Sequence, residues 1–168
     1  MRKALDALYD AAAGLAALSM VGLLLAVLTS ILARQLHFNV PGIDAYAGYL
    51  MAGTGFLALA HTLKKGEHIR VTLVLTAMGV TPRRWLERWA ALASAALAAL
   101  FAFYSVRLVL QSYQFNDMST SNDATPLWLP QLAMAIGTVT FAIAALDECV
   151  LEWRGRVRQS DGEMLRHE

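Results

Sequence analysis

His61-Thr-Leu-Lys-Lys-Gly-Glu-His-Ile-Arg-Val71 separates two long apolar runs and opens the most basic block of the chain, which continues to Arg88. Positive charge between two apolar segments fixes the side of a membrane on which the connecting loop stays. With that side fixed, the orientation of every other segment follows.

The composition supports a membrane reading. Hydrophobic residues make up 57% of the 168 residues and charged residues 16%, against about a quarter charged in a soluble domain. Charge is missing from four runs rather than thinned evenly, the mark of a multi-pass membrane protein. The net charge of +1 gives no broad basic surface, so no nucleic-acid partner is expected. Cys149 is the one cysteine, which excludes an intrachain disulfide and any multi-thiol metal site. It is expected to fill space near a helix end.

Outward from the basic loop, the spacing predicts an all-α membrane protein of four transmembrane helices in a single domain. The spans are expected at about 11–33, 44–63, 89–113 and 129–146. The first run exceeds the 7–15-residue core of a cleavable signal peptide and is expected to stay attached. Gly22 and Ala26 form a small-xxx-small pair suited to helix contact, with a merely permissive Gly22 as the plain alternative. Arg34 to Ile43 reads as a turn broken by Pro41-Gly42. Asp44 stands where it could cap the second helix. Gly48, Gly53 and Gly55 thin one side of that helix and suit a tight contact. Residues 69–79 alternate like a strand at first, yet Thr72 and Thr76 lie four apart. A lone strand at a membrane would leave backbone groups unpaired, so a short interfacial helix is preferred. Thr81-Pro82 marks the start of the third helix. Ala91, Ala95, Ala98 and Ala102 form a small-residue row along it. Gln114 to Thr125 is polar and carries no Lys or Arg. Pro126-Leu-Trp-Leu-Pro130 leads into the fourth helix with Trp128 at interfacial depth. Asp147, Glu148 and Glu152 are expected to end that helix, and residues 154–168 form a polar tail.

Twelve lysines and arginines lie in the N-terminal segment, the central loop and the tail, against two, Arg34 and Arg107, on the other side. The positive-inside rule then puts both termini in the cytoplasm.

Chemistry is sparse. The middle of every span lacks Asp, Glu, Lys, Arg and His, the groups a pump or ion-coupled carrier places there. Ser19, Thr54, Ser94, Thr138 and Thr140 are the deep polar side chains, and such hydroxyls most often bond their own helix backbone. His37 and His61 sit near opposite ends of helices one and two, with His68 in the loop and His167 in the tail. A haem held between facing helices needs ligands at matching depth, which this set does not offer. No cofactor, metal or catalytic residue is expected. Arg34, Asp44 and Arg107 are candidates for polar contacts at the outer side. The plain reading is snorkelling for the arginines and a cap for Asp44; the functional one is an ion pair that orients helices or docks a partner.

Three places carry a family resemblance. Arg34-Gln-Leu-His-Phe-Asn39, followed by Pro41, is similar to an Arg-x-x-x-Phe-Asn turn. Gly55-Phe-Leu-Ala-Leu-Ala60 leads into Gly66-Glu-His-Ile-Arg-Val71. Pro126-Leu-Trp-Leu-Pro130 is followed by Gly137. Together, over roughly Arg34 to Glu148, the chain resembles the small membrane (DctQ-type) subunit of a tripartite ATP-independent periplasmic (TRAP) transporter. Thr72 and Asp44-Ala45 stand where that family often has acids, so no role is carried over to those positions. The resemblance implies no enzyme activity. It implies a scaffold in a bacterial inner membrane, in contact with lipid. Its partners would be a larger membrane subunit and a periplasmic substrate-binding protein, and its task sodium-coupled uptake of an organic acid. Glu67, His68 and Arg70 lie where polar groups can tie the basic loop to the ends of helices two and three; Gly48, Gly55, Gly66 and Trp128 join the structural and partner-contact candidates. The competing reading is a haem- or quinone-binding membrane anchor of a redox enzyme.

Overall fold

Four helices account for nearly all of the described chain. The computed structural model describes residues 2–65 and 80–153, with side chains from 5 to 65 and 85 to 153. The helices are α1 (Arg2–Gln35), α2 (Ile43–Lys65), α3 (Val80–Gln114) and α4 (Trp128–Trp153). All four are long and apolar enough to cross a membrane. Among the described residues there is no strand beyond an isolated bridge between Met118 and Pro126. The central loop, including Gly66, Glu67, His68, Arg70 and the expected interfacial helix, lies outside the described residues, as does the tail 154–168.

The helices outrun their apolar cores. α1 begins about two and a half turns before the expected position 11, and α4 continues through Asp147, Glu148 and Glu152 to Trp153. Those acids do not end the helix. Hydropathy marks where hydrocarbon stops, whereas backbone hydrogen bonds continue into water while the residues favour a helix. α3 likewise starts at Val80, two residues ahead of Pro82, and a proline in the first turn removes no helix bond.

Both connections at one end, the loop end, open with the same device. After α1, Phe38 N–H reaches back to the Ala33 carbonyl (2.9 Å) with His37 at φ 56°. After α3, Asp117 N–H reaches the Ser112 carbonyl (3.0 Å) with Asn116 at φ 52°. A left-handed residue closing a six-to-one bond satisfies the last helical carbonyls. The Arg34–Asn39 turn is therefore the C-cap of α1. Gly42, at φ 81°, then starts α2 by accepting from Ala45 and Tyr46 N–H.

Packing is open rather than a closed ring. α2 and α4 pack on each other in the middle; α1 flanks α2, α3 flanks α4, and α1 touches α4 only slightly. The α3–α4 seam is built of Ala95, Ala98 and Ala102 against Ala142, Ala145 and Cys149, all buried. In lipid, burial of apolar surface drives nothing by itself, and close van der Waals contact between small residues holds helices together. Gly137 lets the α4 backbone approach the Phe56 carbonyl of α2 so closely that no Cβ would fit. α1 is the least covered helix, with Leu18, Leu24, Leu25 and Leu32 all more than half exposed.

Candidate functional site

The three glycines of α2 divide between two faces. Gly53 faces inward, where a Cβ would meet Ser19 of α1 and Ala133 of α4 at 3.4–3.7 Å. Gly48 and Gly55 meet nothing within 4 Å. Within the chain, close contact exists at Gly53, while Gly48 and Gly55 are left open. With Met51, Ala52, Phe56 and Leu59 they line an open, mostly apolar groove of about 480 Å3. The alanine row of α3, by contrast, is used up inside the chain against α4. The glycines that make close internal contacts are Gly22, against Leu50, and Gly53, Gly42 and Gly137.

At the loop end, residues 115–127 fold onto the start of α2. Ser119 N–H bonds the Thr125 carbonyl (2.8 Å) and Leu127 N–H the Asp117 carbonyl (2.9 Å), which closes a small hairpin. Asp123 is its anchor. Its carboxylate accepts from Tyr49 Oη (3.0 Å) and Ser119 Oγ (2.7 Å), and Tyr46 Oη meets Thr125 Oγ1 at 3.1 Å. Hydrogen bonds from Thr125 first, then Ser119 and Tyr49, hold the Asp123 carboxyl below the usual carboxylate range. A Cβ on Gly42 would stand 2.8 Å from the Asp123 Cβ, so the turn before α2 needs glycine for both space and its positive φ. Hydropathy gave no sign of this network; the tyrosines at 46 and 49, one helical turn apart, were the available signal.

Asp44 does not cap α2. It lies inside the first turn, and its carboxylate accepts from Ser30 Oγ of α1 at 2.9 Å. The cap position falls to Gly42, and Asp44 still opposes the positive helix end. Arg34 and Arg107 are exposed. Trp128 is half-buried, its ring edge-on to Tyr113 at 5.7 Å.

The opposite end, which carries both termini of the described chain, has a polar cluster that sequence reading missed. Lys64 Nζ bonds Asp6 Oδ1 at 2.6 Å and stands 5.6 Å above the Tyr9 ring. His61 Nδ1 lies 3.6 Å from Asp10 Oδ1. The spacing of Asp6 and Asp10 against His61 and Lys64 was the signal, legible only once α1 is known to start so early. His37 is exposed at the loop end and His61 sits at the terminal end, so the two are separated by nearly the length of α2, roughly 27 Å at 1.5 Å per residue. Ser19, Thr54, Thr138 and Thr140 donate to carbonyls of their own helices, as expected.

An open layer of four spanning helices with an unpacked thin groove and no polar pathway at mid-depth among the described residues suits a subunit that leans on a neighbour. No curated protein matches the chain. The model of the family described as "Tripartite ATP-independent periplasmic transporters, DctQ component" matches residues 23–155. That stretch runs from the middle of α1 past the end of α4, and the chain belongs to this family of small TRAP transporter membrane subunits.

Proposed function

We propose that this subunit is a scaffold for a larger membrane subunit in sodium-coupled uptake of an organic acid, and that its loop end helps receive a periplasmic substrate-binding protein. The observation that carries this reading is the groove of Gly48, Ala52 and Gly55, thin and unfilled although three other helices were available to fill it. A neighbouring helix could approach there to close contact, the arrangement that stabilises association in lipid. The excess of Lys and Arg at the terminal side supports cytoplasmic termini in a bacterial inner membrane. The hairpin pinned by Asp123 would then face the periplasm, where a rigid loop suits recognition of a soluble partner. Substrate choice and sodium coupling would reside in the partners, in keeping with spans that lack ionisable groups at mid-depth.

Gly48→Leu and Gly55→Leu test the reading. A Cβ at either position meets no atom of the subunit within 4 Å, and the leucine beyond it fills the groove. Both should leave the isolated subunit stable while reducing co-purification with the large subunit and cutting uptake. Val27→Leu, at an already bulky exposed site, is the control. Unchanged assembly and uptake in both glycine variants would refute the scaffold role of this face.

A further inference from the structure

At the terminal end, α1, α2 and α4 enclose a cavity of about 280 Å3 that the transport reading does not use. Tyr9 on its wall is 3% exposed, yet its hydroxyl has no hydrogen-bond partner among the described residues. Buried hydroxyls are rarely left so. Asp147, half-buried on the same wall, has neither a hydrogen bond nor an ion pair among the described residues. Lys64 holds its ammonium at the rim through one bond to Asp6, which leaves it further N–H donors. Leu5, Leu63, Ala144, Leu151 and the carboxylate-bearing Glu148 complete the lining. No group of three or more His, Cys, Asp or Glu among the described residues could hold a metal ion.

Depth narrows the occupant. Tyr9 lies about 39 Å along α1 from Gln35, and a bilayer with its headgroups is about 40–45 Å thick. The cavity is therefore level with lipid headgroups. Its volume, at the low end of small-molecule sites, suits a headgroup rather than a whole lipid.

We propose that this cavity binds the headgroup of an aminophospholipid, a phosphodiester that ends in a primary ammonium. The ammonium donates to Asp147. The phosphate accepts from Tyr9 Oη and Lys64 Nζ. The acyl chains leave along the leucines. A choline head carries no N–H to donate. A glycerol head carries no cation to set against Asp147 and Asp6.

The test uses the purified full-length chain, with any subunit that accompanies it, equilibrated with vesicles of phosphatidylethanolamine, phosphatidylcholine or phosphatidylglycerol. Retained lipid is counted by native mass spectrometry. Phosphatidylethanolamine should be retained about tenfold over the other two, the worth of one charge-assisted hydrogen bond. Asp147→Asn and Tyr9→Phe should each lower that retention several-fold at unchanged melting temperature, and soluble phosphoethanolamine at equal concentration should not displace the lipid. Equal retention of the three lipids overturns the proposal, as do variants that retain lipid like the parent. Displacement by the soluble ester assigns the site to a free metabolite and overturns the lipid reading.

Discussion

Gly137→Ala asks whether close backbone approach is what joins α2 to α4. A Cβ at Gly137 would stand 2.5 Å from the Phe56 carbonyl carbon and nearer still to its oxygen, with Phe56 Cβ at 2.9 Å. Carbon contacts settle at about 3.5–4.0 Å, so the helices must part by about 1 Å. The obstacle is backbone, which cannot rotate away as a side chain would. A gap of that size forfeits up to about half of each contact's 0.1–0.2 kcal/mol. Over roughly forty atom pairs along Phe56, Leu57 and Ala60 the loss is about 2–3 kcal/mol, within the usual cost of overpacking. Alanine's better helix propensity returns up to about 1 kcal/mol. The net of about 1–2 kcal/mol should lower the melting temperature by roughly 3–7 °C for a chain of this size. Tryptophan fluorescence of the purified subunit during heating in mild detergent reads the shift. Gly48→Ala, with nothing within 4 Å, is the matched control and should not melt lower. If Gly137→Ala melts at or above the parent, or Gly48→Ala falls as far, close approach at Gly137 is not what holds this seam.

The hairpin at the loop end should release in acid. Asp123 titrates below its unfolded value, so its contribution is fully present above pH ~4 and is lost as pH falls through the lowered folded value. Amide exchange at Ser119 and Leu127, corrected for intrinsic rates, should accelerate only as pH falls below about 4, and Asp123→Asn should flatten that dependence; a variant that keeps the parent's profile would remove Asp123 from the explanation. Reporter fusions after Met118 should read as periplasmic and those after Gly66 or Arg158 as cytoplasmic, and a cytoplasmic signal at Met118 would invert the topology. Liposomes holding this subunit alone should show no sodium-driven uptake of an organic acid, and measurable uptake would place a substrate path inside these four helices.

Much of the architecture could be read along one dimension. A span needs length and apolar content, and a turn needs its breakers, so the four helices and the turns at Pro41-Gly42 and Pro126–Pro130 follow from local composition. The hydroxyls of Thr54 and Thr138 bond within their own helices for the same local reason. The family likeness, too, rests on short contiguous segments. Contact between helices is another matter. In water, an apolar stripe announces the buried face; in a bilayer every face is apolar, and lipid competes with protein on equal terms. The pattern therefore could not tell that Gly53 packs while Gly48 and Gly55 stay open, or that the α3 alanines serve α4 rather than a partner. Nor could it tell that Asp44 answers Ser30, that Asp123 anchors a hairpin on Tyr49, or that Asp6 meets Lys64 across 58 positions of chain. Those pairings depend on which helices lie side by side, and shape at the contact selects that order where hydropathy is uniform.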